Sequence, residues 1–292
     1  MYIRLKNALP LSAWYMLASA LGFALMVACV KIANTTYQIP VLEIVAARAI
    51  VSALISYADI RRKKISPWGN NKPLLIARGT VGALALIFVY YAVTTLPLAE
   101  ATILQYLHPV FTALMALFFL KEVIQRSTLA CIALSLMGLV IMIQPNFSPD
   151  SAIAYSWDSI GAGLLGAFGS AVAYIIVKKL TQTEDSSVIV FYFPIIAIPI
   201  SVALLGDDFV VPSLAATGVL VLVGIFTQVG QIGLTKALHS ADANKATAYA
   251  YVQVLFSVFI GWVYFSEVPV FTTLVGGAFI MAGALINVLW KR

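Results

Sequence analysis

Long apolar runs separated by short polar turns recur along almost the whole chain. Each run has about the 20 residues that a helix needs to cross the hydrocarbon core of a bilayer. The stretches between them are too short for a separate soluble domain. The pattern therefore predicts an all-α membrane protein with ten transmembrane helices. The predicted spans cover residues 12–33, 40–60, 73–94, 97–120, 126–144, 157–178, 186–206, 214–237, 241–265 and 269–290.

The composition agrees with that pattern. Of the 292 residues, 62% are hydrophobic and only 10% are charged, whereas a soluble domain carries roughly 25% charge. This deficit excludes an ordinary soluble enzyme and a disordered chain. Both cysteines, Cys29 and Cys131, lie within apolar runs, which indicates small apolar side chains inside helices and no disulfide.

The positive charges are distributed asymmetrically among the turns. Of 18 lysines and arginines, 16 fall on the side that also holds both termini; the exceptions are Lys31, near the opposite face, and Arg48, within a span. Cytoplasmic loops are enriched in these residues, so we expect both termini in the cytoplasm and the chain in a bacterial inner membrane. The basic residues punctuate the spans without forming one stripe, which argues against nucleic-acid binding.

The chain contains an internal repeat. Displacing it by 145 residues places 99–141 on 244–286 with 11 identities in 43 positions, including Glu122 on Glu267 and Tyr106 on Tyr251. The repeat divides the chain into two five-helix units, residues 1–145 and 157–292. Because five is odd, the second unit enters the membrane from the opposite side. Inverted repeats of this kind are typical of secondary transporters that work by alternating access.

Short motifs in both halves carry a family resemblance. They are Arg78-Gly79, Tyr90-Tyr91-Ala92, Leu96 to Thr102, Pro109-Val110-Phe111 and Leu120-Lys121-Glu122, then Ala241-Asp242-Ala243 and Phe265-Ser266-Glu267. With them, the first half resembles the EamA-type repeat of the drug/metabolite transporter superfamily, and the second half resembles a degenerate copy of it. The resemblance implies ten helices, an inverted five-plus-five repeat and a central cavity lined by spans 1, 3, 4, 6, 8 and 9. It implies export of amino acids, drugs or other metabolites, or exchange of nucleotide-like ones.

Arg48, paired with Arg78 at the start of span three, also resembles the pattern of a subgroup that includes S-adenosylmethionine carriers. The repeat does not duplicate this pair, since Arg48 falls on Phe193 and Arg78 on Val223. A cation inside the hydrocarbon costs at least about 2.5 kcal/mol. Arg48 therefore either binds a substrate carboxylate or phosphate, locks a gate, or belongs to a structural ion pair or carbonyl clamp.

Two further charges lie near the predicted external ends of their helices. Lys31 and Glu43 are candidates for an external gate pair, with solvated interfacial charges as the alternative. Glu43 stands five residues before Arg48, which is a poor spacing for an ion pair along one helix.

Span four carries polar residues around a proline. Gln105 and His108 share one helix face, and Pro109 frees a backbone carbonyl one turn earlier. A broken helix with polar groups at mid-membrane is typical of a transporter substrate site. A packing kink and a core histidine are the structural alternatives.

Aromatic and amide side chains complete the predicted binding site. Tyrosines suit cationic or amphipathic ligands through stacking, although a tyrosine can equally lie in an interfacial belt or in the core. The candidates are Tyr90 and Tyr91 in span three, Tyr106 in span four, Gln228 and Gln231 in span eight and Tyr251 in span nine.

The sequence thus favours a secondary transporter of small organic solutes, such as amino acids or S-adenosylmethionine-like, zwitterionic or anionic metabolites, or drugs. Export is the preferred direction; an exchanger or importer of nucleotide-like metabolites and a channel are the alternatives. An intramembrane enzyme would need a motif such as HExxH or paired aspartates, and none is present. We expect no cofactor and no metal. The expected partners are the substrate and membrane lipid, and the expected assembly is a monomer or a homodimer.

Overall fold

A computed structural model of the chain is a bundle of α-helices, described over residues 10–115, 126–143, 156–241, 250 and 252–290. The all-α prediction is confirmed, since these ranges contain helices and turns and no strand. The helices are α1 Leu11–Thr35, α2 Val41–Lys63, α3 Lys72–Thr95, α4 Leu98–Gln105, α5 His108–Met115, α6 Arg126–Ile143, α7 Trp157–Leu180, α8 Ser186–Leu205, α9 Leu214–Ser240, α10 Val252–Phe265 and α11 Phe271–Leu289.

Six of these helices, α1, α2, α3, α7, α8 and α9, are long and apolar enough to cross a membrane, and α6, α10 and α11 hold shorter apolar segments. Their starts match the predicted spans because the turns carry helix-starting residues. Asn71, Asp185 and Ser213 each cap the helix that follows by accepting a backbone N–H with the side chain. Pro10 and Pro40 precede α1 and α2.

Span four is two helices, as the sequence predicts. The break falls at Tyr106 and Leu107, between α4 and α5. Pro109 follows the break and has no N–H to offer the carbonyl of Gln105, so the regular helical bonding cannot continue through this point. The predicted span continues to residue 120, and its part beyond Met115 lies outside the described residues.

The helices pack in pairs that follow the repeat. The most extensive pairings are α1 with α9, α6 with α11, α3 with α7 and α2 with α8. In the repeat, α1 corresponds to α7 and α3 to α9, so the first and third pairings are one interface formed twice. The other two pairings each join a helix to its own counterpart. This packing fits a two-repeat layout.

The two halves run in opposite directions through the bundle. Lys63 at the end of α2 binds Asp185, just after α7, with 2.8 Å between nitrogen and oxygen. The ends of α2 and α7 therefore share one face, which is the predicted cytoplasmic face. Because α1 ends where α2 begins, α1 ends at the other face, the predicted external one. Helix α7 is thus antiparallel to its counterpart α1.

Glycines bring the paired helices into close contact. A Cβ atom added at Gly166 in α7 would lie 2.7 Å from a methyl group of Val89 and 3.0 Å from its backbone nitrogen in α3. In the equivalent interface, a Cβ at Gly22 of α1 would lie 2.9 Å from the backbone nitrogen of Gly230 in α9. Small residues allow backbones to approach this closely where both the interior and the lipid are apolar.

We predict that Gly166→Ala lowers the melting temperature of the purified protein in detergent, because the new methyl group forces α7 away from α3. Overpacking of this kind costs about 1–3 kcal/mol. Gly161→Ala in the same helix is the matched control, since a Cβ there meets no atom within 4 Å. The control should keep or raise the melting temperature. Equal melting temperatures for the two variants would contradict the close approach.

Candidate functional site

Arg48 is the largest fully buried side chain in the described bundle, with 1% of its surface exposed. Its guanidinium donates to the hydroxyl of Tyr90 at 2.8 Å and contacts the sulfur of Met26 at 3.7 Å. The guanidinium carbon also lies 5.0 Å from the ring centre of Phe193. All these partners are neutral, so dipoles and ring faces stabilise the charge without a counter-ion.

Arg78 contacts the same phenylalanine ring as Arg48. It is 4% exposed, donates to Oε1 of Gln231 at 3.1 Å and places its guanidinium carbon 5.4 Å from the centre of the Phe193 ring. From the sequence, Arg78 is expected near the cytoplasmic end of span three and is not among the predicted site residues. In the structure it is buried together with Arg48.

Both arginines line a cavity of about 60 Å³ at the centre of the bundle, which is room for a few water molecules. Helices α1, α2, α3, α7, α8, α9 and α10 and the α4–α5 break contribute side chains to it. Its hydrogen-bonding and aromatic lining is Phe23, Arg48, Arg78, Gln105, Tyr106, His108, Ser170, Tyr174, Phe193, Gln231 and Gln253.

The broken helix forms one wall of this cavity. The Tyr106 hydroxyl donates to Oε1 of Gln253 in α10 at 2.6 Å. The His108 ring lies 5.2 Å from the Tyr106 ring and 4.8 Å from the Tyr174 ring. Oε1 of Gln105 and Nδ1 of His108 are buried and have no hydrogen-bond partner among the described residues. Buried polar atoms are normally paired, so these two atoms are available to a ligand.

The structure brings together Arg48, Gln105, Tyr106, His108 and Gln231 from the predicted site, as well as Arg78, Tyr174, Phe193 and Gln253, which the prediction did not include. Their roles in binding remain predictions. The signal for Arg78 was present in the sequence, because it is a second arginine inside an apolar run. Tyr174 and Phe193 gave no such signal, since aromatic residues occur throughout these spans.

Three other predicted binding residues are not part of the cavity lining. Tyr90 is fully buried behind Arg48 and holds it, but does not line the cavity. Gln228 donates to the hydroxyl of Ser56 at 2.7 Å, away from the cavity. Tyr91, one residue beyond Tyr90, has a side chain that is 44% exposed and does not line the cavity. Tyr251 lies outside the described residues.

The gate roles of Lys31 and Glu43 remain predictions, and the structure does not pair the two side chains with each other. Lys31 instead forms an ion pair with Glu267, which follows α10. The same ammonium donates to the carbonyl of Leu96 at 3.2 Å, and Glu267 accepts the N–H of Leu98 at 2.9 Å. This network joins α1, the α3–α4 turn and the α10–α11 turn on the predicted external face.

Glu43 has a separate role on the same face. Its carboxylate accepts the backbone N–H of Val210 at 3.0 Å, so it ties the start of α2 to the turn between α8 and α9. It is therefore engaged neither with Lys31 nor with Arg48.

A second network joins helices at the predicted cytoplasmic face. Lys63 binds Asp59 and Asp185, and Ser187 donates to Asp59. Burial alone would raise the pKa of the Asp185 carboxyl, but hydrogen bonds from Lys63 and Ser187 outweigh it and hold that pKa below its usual range. Nearby, Lys178 donates to the carbonyl of Leu238 in the last turn of α9 at 2.9 Å and to that of Ala241, directly after α9, at 2.6 Å. The cavity thus lies between two bonded faces.

Comparisons with known proteins agree with this architecture. The chain is 33% identical to the pseudopaline exporter CntI of Pseudomonas aeruginosa over 90% of each chain. It is 27% identical to solute carrier family 35 member G1 of Homo sapiens over 97% of this chain and 80% of the relative. It is also 27% identical to the S-adenosylmethionine uptake transporter of Rickettsia felis over 74% of this chain and 72% of the relative.

A solved crystal structure shares the fold. It superposes with a TM-score of 0.70 over 93% of this chain and 96% of that one, at 18% sequence identity.

The sequence model of the EamA-like transporter family matches the chain twice, over residues 10–144 and 157–289. These matches confirm the resemblance to drug/metabolite transporters. Together with the apolar helices, they identify an integral membrane protein for small-molecule transport. The chain belongs to the EamA-like transporter family.

Proposed function

We propose that this protein is a secondary transporter that exports small organic solutes bearing an acidic group, including zwitterions such as amino acids, by alternating access. The observation that carries the proposal is the central cavity with two buried arginines that have no carboxylate partner among the described residues. Guanidinium groups bind carboxylates and phosphates through paired N–H donors. Gln105 and His108 on the facing wall offer polar atoms to an amine.

The relatives support transport in either direction. The relative named as a pseudopaline exporter favours export, and the one named as an S-adenosylmethionine uptake transporter supports the alternative of an importer or exchanger of nucleotide-like metabolites. A channel is the third candidate. Saturable flux distinguishes a carrier from a channel.

The two bonded faces support alternating access. In this mechanism the Lys31–Glu267 network opens while the cytoplasmic network holds, and the reverse follows after the solute has left. The break before Pro109 lets α4 and α5 change their relative angle, which makes it a candidate hinge.

The proposed placement is ten spans in a bacterial inner membrane with both termini in the cytoplasm. The basic side chains support it, since Arg61, Arg62, Lys63 and Lys72 lie at the ends of α2 and α3 that share one face with Lys178. Membrane lipid and the solute are the proposed partners, with a monomer or a homodimer as the assembly.

The equivalent turns of the two halves test this placement. In a variant without Cys29 and Cys131, a membrane-impermeant thiol reagent added outside intact cells should label Gln38→Cys, in the turn after α1. It should label Gln182→Cys, in the turn after α7, only once the cells are permeabilised. Labelling of both positions from outside would contradict the inverted arrangement.

We predict that Arg48→Gln abolishes most of the solute flux while the protein still inserts. Loss of a charge-assisted hydrogen bond costs about 1.5–3 kcal/mol, which is about tenfold to a hundredfold in affinity. The assay is efflux from proteoliposomes loaded with labelled amino acids, S-adenosylmethionine or organic acids. Tyr91→Phe, on the outer surface, should leave the flux unchanged. Unaltered flux in Arg48→Gln would refute the anion site.

We also predict that Lys31→Met opens the external face, because it removes the ammonium that joins α1 to Glu267. With a cysteine at Gln231 as the reporter, in the background without native cysteines, external labelling should accelerate by about tenfold, the equivalent of about 1.4 kcal/mol. Lys72→Met at the cytoplasmic face is the control and should leave the rate unchanged. If Lys31→Met labels no faster than this control, the network is not a gate.

A further inference from the structure

Two positive charges and no carboxylate are among the described residues that line the cavity. Every ion pair among the described residues lies at one of the two faces and involves Lys31, Arg62 or Lys63. Within that part of the chain, Arg48 and Arg78 have no carboxylate within 4.0 Å. An arginine stays protonated even when buried, so both groups are cations in a region with apolar surroundings.

The two guanidinium groups are neighbours. Their carbons lie 5.0 and 5.4 Å from the centre of the Phe193 ring, so they are no more than about 10 Å apart. Two cations this close repel each other through a medium that screens poorly. One acidic group on a solute would neutralise only one of them.

Each guanidinium also has donors to spare. A guanidinium offers five N–H groups. Arg48 donates to Tyr90 through one of its terminal nitrogens, and Arg78 donates to Gln231 through one of its own. Among the described residues, the Nε atoms of both have no hydrogen-bond acceptor. A guanidinium with unused N–H donors can bind a carboxylate or phosphate, often through two parallel bonds. Both arginines line one small cavity, so each has donors left for an acidic group there.

We propose that the substrate carries two negative charges, placed on two carboxylates or on one phosphate group, so that both arginines are neutralised at once. This inference rests on the proposed function and specifies the solute. A singly charged solute would leave one guanidinium without a counter-ion. Without a solute, Arg78 has a neutral partner, the amide oxygen of Gln231. Its counter-ion arrives with the solute.

Binding to the purified full-length protein in detergent tests the inference. The probes are L-glutamate with two carboxylates, O-phosphoethanolamine with one phosphate, and L-glutamine, which matches glutamate in shape but has one carboxylate. Ligand binding raises the melting temperature by an amount that grows with the logarithm of the ratio of ligand concentration to dissociation constant. We expect at least one of the first two probes to bind about tenfold more tightly than glutamine, and the better of them identifies the source of the two charges.

A substitution that supplies the missing carboxylate sharpens the test. Gln231→Glu places a carboxylate oxygen against Arg78, at the position where the amide oxygen now lies at 3.1 Å. It should raise the melting temperature of the ligand-free protein and reduce the preference for the doubly charged probe about tenfold. The matched control is Gln182→Glu, the same change on an exposed cytoplasmic turn, which should change neither quantity. Arg78→Gln provides a second variant. In it, the ratio of the affinity for the doubly charged probe to the affinity for glutamine should fall close to one.

Specific results would overturn the inference. They are equal binding of glutamine and both acidic probes by the wild-type protein, binding of none of the three, or an unchanged preference in both Gln231→Glu and Arg78→Gln. Flux in proteoliposomes keeps this failure distinct from that of the proposed function. Saturable glutamine transport without a charge preference would support the proposed transport function and contradict the doubly charged substrate. Tight binding of an acidic probe that is never carried across the membrane would contradict the transport function and support the binding site.

Discussion

The rest of the structure depends on how a membrane-embedded bundle accommodates buried guanidinium groups. Each buried cation costs about 2.5–3.5 kcal/mol on insertion scales, and cation–π contact returns only about 0.5–2 kcal/mol of that cost. Arg48 and Arg78 are stabilised by a tyrosine hydroxyl, an amide and one shared ring. Such partners hold a charge in position without neutralising it. The two guanidinium charges that are not neutralised therefore attract an anion to the cavity.

The fold meets this constraint by separating its polar groups into three levels, which are the predicted external face, the central cavity and the predicted cytoplasmic face. The ion pairs of the described residues occur at the two faces, and hydrogen bonds to neutral partners surround the central cavity. Between the levels, glycine contacts such as Gly166 against Val89 hold the helices together without polar groups. This division lets either face loosen without breaking the contacts around the cavity, because the bonds that close a face and those that hold Arg48 share no residue.

The sequence predicts what local chemistry determines. Several helices begin where asparagine, aspartate or serine caps them or where a proline precedes them, span four breaks where Pro109 removes a donor, and Arg48 stands out in an apolar run. The partner of Lys31 could not be predicted in this way, because Glu267 is 236 residues away. Nor could Tyr90 be distinguished from Tyr91. Lipid and the bundle core are both apolar, so the alternation that marks the buried face of a soluble helix is absent here.

The ring that both arginines contact marks a position where the two halves are not chemically equivalent. In the repeat, Phe193 is the counterpart of Arg48, and it also lies 5.0 Å from that guanidinium. Two identical halves would place a second arginine near the first, with a repulsion of about 3 kcal/mol at that distance and an effective dielectric constant of 20. Here one half supplies the charge and the other supplies the ring, so the difference between the halves replaces a repulsion with an attraction at this position.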